Sequence, residues 1–101
     1  MYRGTTVPEN RHMSKPSGRA IEVERVQTGV RLEKRLLKVL RALAEYKDIS
    51  LGDLLEGIVL HAFEGKHAFE AETLKKIGEL RSVYGLELDA RSSHRLRDRR
   101  P

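Results

Sequence analysis

The sequence predicts a mostly α-helical fold with one short strand that must find its partner in a second copy of the chain. Three observations carry this expectation. Residues 26–32 alternate apolar and polar side chains, the period of a strand. Two helix-period stripes follow almost without a loop, and a third comes after a glycine-containing break. The 101 residues hold only three Tyr, two Phe, no Trp and no Cys, so neither a large core nor disulfides can stabilise them. Association is what remains.

Residues 1–22 are rich in Gly, Pro, Ser, Thr and basic side chains with no apolar period, and read as a flexible basic arm. Its Arg3, Arg11, Lys15 and Arg19 either graze a polyanion or only keep the chain soluble.

From residue 23 the composition turns β-prone. Val26, Thr28, Val30 and Leu32 form an inward set, and Arg25, Gln27, Gly29 and Arg31 an outward one. Ile21 and Val23 fall out of phase, so pairing starts near Glu24 or Arg25, after a bulge or an unpaired lead-in. A lone strand leaves its ladder hydrogen bonds unmade, and no other stretch offers a second strand. A homodimer supplies it.

The first helix begins near Glu33, with Leu36, Leu37, Leu40, Leu43 and Ala44 in one apolar stripe opposite Lys34, Lys38, Arg41, Glu45 and Lys47. It ends at Tyr46–Lys47–Asp48. Ser50 is a good N-cap for the second helix, Asp53 takes the capping-box position, and Ile49 can staple against Leu54. Leu51, Leu54, Leu55, Ile58, Val59 and Ala62 make a face broader than one short helix requires. Gly57 in mid-helix costs ~1 kcal/mol relative to Ala, and close helix–helix approach, with Gly52 on the same side, would offset it. The expected dimer core is Val26, Val30, Leu32, Leu36, Leu40, Leu43, Leu54, Leu55, Ile58 and Val59. Strand and helix pair together occupy residues 23–64.

Glu64–Gly65–Lys66 breaks the pattern, and residues 65–90 hold an added helix, Glu70–Tyr84. Its expected buried side is Phe69, Leu74, Ile77, Leu80, Val83 and Tyr84, and Gly85 stops it as a C′ residue. Residues 91–101 read as a basic, flexible tail.

Charge is uneven within the net +5. Seven basic and three acidic side chains give residues 23–47 a charge of +4, while four basic and nine acidic ones give residues 48–90 a charge of −5. The tail carries +4. Basic parts flanking an acidic middle suit a polyanion met by one side of the molecule. No apolar run approaches the ~18 residues of a membrane span, and the N-terminus lacks a signal-peptide core, so the expectation is a cytoplasmic protein without a membrane partner. His61 and His67 around Glu64 sit at i, i+6 across a glycine, a poor spacing for two ligands, so neither metal nor cofactor is expected. No Gly-rich phosphate loop and no catalytic constellation is present, and an enzyme is not expected.

QTGVRL leading into LLKVLRALAEYKDIS and an S-L-G-D helix start resembles the ribbon-helix-helix family of bacterial DNA-binding proteins, to which the Arc, MetJ and CopG repressors and many antitoxins belong. The likeness covers residues 26–63 without a gap. It implies a homodimer whose paired strands form an antiparallel ribbon in the DNA major groove. Carried onto this chain, the base-facing positions are Gln27, Gly29 and Arg31, with Arg25 at the ribbon's end. Arg31 suits guanine O6/N7 and Gln27 adenine N6/N7. Gly29 departs from the family's polar side chain there, which weakens readout or allows closer approach. The resemblance also implies a phosphate held by the Leu51 and Gly52 amides beside the Ser50 hydroxyl, an anion at a positive helix end. Lys34 and Arg35, at the start of the first helix, are expected either to contact phosphate or to form a solvated face.

The expected function is therefore a sequence-specific transcriptional regulator, a repressor with double-stranded DNA as partner and two or more dimers on repeated sites. Two alternatives keep the fold. One is an antitoxin-like module whose residues 66–101 wrap a partner protein; the other is a structural dimer with no DNA role.

Overall fold

The computed structural model describes residues 20–99. Among them the chain is mostly helical, with α1 at Lys34–Lys47, α2 at Leu51–Phe63, α3 at Ala71–Tyr84 and a 3-10 turn at Ala90–Ser92. None of the three α-helices is long and apolar enough to cross a membrane.

Each helix starts and stops for a local reason. The Glu33 carboxylate accepts the Leu36 N–H at 2.8 Å and caps α1. Asp48 closes that helix in the left-handed region at φ 61°, and the Ile49 N–H donates to the Ala44 carbonyl at 3.0 Å. Ser50 then accepts from the Asp53 N–H at 3.0 Å, so three residues reverse the chain and start α2. This is the cap expected from S-L-G-D. Glu70 precedes α3, and Gly85 ends it at φ 68° while the Leu86 N–H reaches back to the Arg81 carbonyl. That six-to-one closure needs a left-handed residue, which glycine provides without a Cβ clash.

α1 is the shared element, packed against both α2 and α3. Leu43, Ala44 and Leu54 form the buried centre, with Leu40, Ile49, Ile58, Phe69, Ile77 and Leu80 against it. Val39, outside the expected stripe, is buried too. A helix covered on two flanks buries a wider arc than one facing a single partner. The Lys47 ammonium donates to the buried Thr73 hydroxyl at 3.3 Å, and Lys76 lies 4.9 Å from the centre of the Tyr46 ring. Both tie α3 to the end of α1.

Two expectations are corrected. Leu74 and Val83 are 55% and 71% exposed, Tyr84 at the helix end is 36% exposed, and Thr73 is buried instead. At about 100° per residue, Thr73, Ile77, Leu80 and Tyr84 share one line along α3, which puts Leu74 and Val83 on its two flanks. Gly57 makes no close approach within the chain, since a Cβ there would meet nothing within 4 Å. After α3, the buried Leu86 is followed by a capping box, in which Asp89 accepts from the Arg91 N–H and donates its own N–H to the Ser92 hydroxyl.

Residues 20–32 form no strand and no helix, and their backbone makes no hydrogen bond to another described residue. Val26 and Val30 are 79% and 73% exposed. Val26, Val30 and Leu32, the set expected to face inward, are exposed to solvent. The arm at residues 1–22 falls almost entirely outside the described residues.

Candidate nucleic-acid interface

The outward side chains of residues 25–31 meet different fates. Arg25 grips Glu56 of α2 through two hydrogen bonds, Nε to Oε2 at 2.9 Å and Nη2 to Oε1 at 2.7 Å. This bidentate contact holds the Glu56 carboxyl below its usual range. Gln27 is exposed, and a Cβ at Gly29 would meet nothing within 4 Å, so no steric demand within the chain calls for glycine. Arg31 pairs with Asp98 at 2.6 Å, a residue 67 positions later, with both side chains largely exposed.

That pair sits in a shallow groove of about 860 Å³ at the start of α1. Arg31, Lys34, Arg35, Lys38, Arg97 and Arg99 line it, against the carboxylates Glu33 and Asp98. The Leu36 N–H holds the Glu33 carboxyl below its ordinary value, so that carboxylate stays charged and committed to the helix cap. The other six charged groups besides Asp98 are cations. A concave surface with this excess focuses positive potential and attracts polyanions. Leu32, Leu36, Tyr84 and Leu96 supply its apolar lining.

Arg31 and Lys34 therefore share one groove, while the start of α2 is not part of its lining. There, the Ser50 hydroxyl takes the Asp53 N–H and the Ser50 carbonyl takes that of Leu54. The Leu51 and Gly52 amides make no hydrogen bond to a described residue. These are the donors that a helix start presents to an anion.

Of the expected dimer core, Leu43 and Leu54 are buried in the single chain, Leu36, Leu40, Leu55 and Ile58 half-buried, and Val26, Val30, Leu32 and Val59 exposed. Leu60 and Phe63 add to the exposed side of α2. The His61 imidazole Nδ1 lies 2.7 Å from the Gly57 carbonyl, a local contact that occupies one ring nitrogen.

Arg97, Asp98 and Arg99 join this groove without having been singled out in the sequence. The signal available was the R-L-R-D-R alternation, yet nothing local says where such a segment docks. Compared with known proteins, the chain matches no family model, no curated protein and no solved structure.

Proposed function

We propose that the chain is a homodimeric ribbon-helix-helix DNA-binding protein that regulates transcription. The observation carrying this reading is the exposed segment 20–32, apolar at alternate positions from Val26 and without backbone hydrogen bonds, joined directly to a capped pair of helices. Pairing it with its copy would satisfy those backbone groups, cover Val26, Val30 and Leu32, and bring Val59, Leu60 and Phe63 of α2 against the partner. The paired strands would present Gln27 and Arg31 to base edges in the major groove. The Leu51 and Gly52 amides and the basic groove at α1 would then hold phosphates, giving most of the affinity, and the ribbon the sequence preference.

The test is duplex binding by the wild type and Arg31→Ala across salt concentrations, on DNA selected from a random pool. Arg31→Ala loses about 1–3 kcal/mol on the selected site and relaxes its preference. Unchanged affinity and preference would remove the readout claim. Sedimentation at micromolar concentration reports the dimer; a monomer there would overturn the ribbon itself.

A further inference from the structure

We propose that the C-terminal segment 95–99 completes a DNA-phosphate site at the start of α1, with Asp98 the internal counter-charge that phosphate displaces from Arg31. The inference rests on the DNA-binding reading and assigns a role to a segment which that reading leaves idle.

The chain folds back so that residues 96–99 meet those at the start of α1. Leu86 is buried behind the α3 terminus, the capping box at Asp89–Ser92 turns the backbone, and the Arg95 guanidinium reaches the Arg91 carbonyl at 3.3 Å. The outcome is that Arg97 and Arg99 line the same groove as Lys34, Arg35 and Lys38. So many cations converging on one concavity repel one another unless an anion sits among them. Asp98 does so now, at 2.6 Å from Arg31, and Glu33 is tied to the backbone of α1. An exposed ion pair of this kind adds little to stability. A DNA phosphate, whose neutralisation by these cations releases condensed counterions, can therefore take its place, with Arg97 and Arg99 lining the same groove. The groove adjoins Arg31, the last outward position of the segment proposed to enter the major groove, so the phosphates it meets flank the bases being read.

The experiment compares Arg97→Ala/Arg99→Ala with a control pair outside the groove, Arg41→Ala/Lys75→Ala, on random-sequence duplex in the full chain. All four side chains are exposed, and unchanged far-UV circular dichroism verifies the fold. The tail pair is expected to weaken binding tenfold or more and to flatten the log–log salt slope by roughly two per bound protomer, at ~0.9 per phosphate contact. The control pair changes both far less. Asp98→Asn is expected to tighten binding several-fold, and that gain disappears in an Arg31→Ala background. Wild-type affinity and slope in the tail pair, with Arg31→Ala still impaired, overturn this proposal and leave the DNA-binding reading standing. A gain from Asp98→Asn that persists without Arg31 overturns the counter-charge role. No duplex binding by the wild type overturns both.

Discussion

The α1–α2 pair and the segment before it are neighbours in sequence and opposites in physics. Both carry regularly spaced apolar side chains. A helix makes its backbone hydrogen bonds within its own segment, so α1 and α2 form in one chain and bury Leu43, Ala44 and Leu54 between elements. A strand would make them with a neighbour; residues 20–32 form no strand and stay exposed along their whole length. Apolar patterning is therefore enough to build the first region and not the second.

The largest expected effect breaks the helical side of this contrast. Leu43→Ala empties the most buried position and should cost about 2–5 kcal/mol in urea unfolding. The segment should respond in a different observable. Val30→Lys leaves the contacts within the chain alone but should weaken the dimer by about 1.5–3 kcal/mol per protomer, seen as dissociation in sedimentation at fixed concentration. A Val30→Lys dimer as tight as the wild-type one would mean that the segment is not the interface. Gly85→Ala tests the closure that sends the tail toward α1; a Cβ at φ 68° should cost about 1–2 kcal/mol in thermal unfolding.

The smallest effect is electrostatic. Hydrogen bonds hold the Glu33, Glu56 and Asp89 carboxyls below their ordinary values. A depressed carboxyl stabilises the fold above its unfolded pKa, and that contribution is lost as pH falls through the folded value. Stability should therefore slip below about pH 4.5, and Glu56→Gln should shrink the slip by removing the Arg25 clamp. An acid limb identical in Glu56→Gln and wild type would show that the clamp is not formed in solution.

Local chemistry was legible wherever a few consecutive residues decide the outcome. The Ser50 cap, the left-handed Gly85 and the break at Gly65 are each read from neighbours three or four positions away. Leu86 had a readable signal as well, since an apolar residue after a C′ glycine often folds back onto its helix. The α3 face was misjudged because Leu74 and Val83 are apolar and Thr73 is not. Packing against α1 chose the line Thr73–Ile77–Leu80, and Lys47 satisfied the Thr73 hydroxyl on it. Of the groove's lining, the sequence singles out Arg31 and Lys34, and only the fold brings Arg97, Asp98 and Arg99 beside them.

By itself, then, the sequence determined the helices, the Ser50 cap and the left-handed Gly85, because hydrogen-bond patterns and side-chain periods act over a few residues. Only the tertiary structure decided that α1 carries two neighbours, that Arg25 is clamped to Glu56, and that Asp98 reaches Arg31. These contacts join residues 31 and 67 positions apart. Their existence depends on where two turns, at Asp48 and at Gly85, aim the chain, and no local pattern encodes that direction.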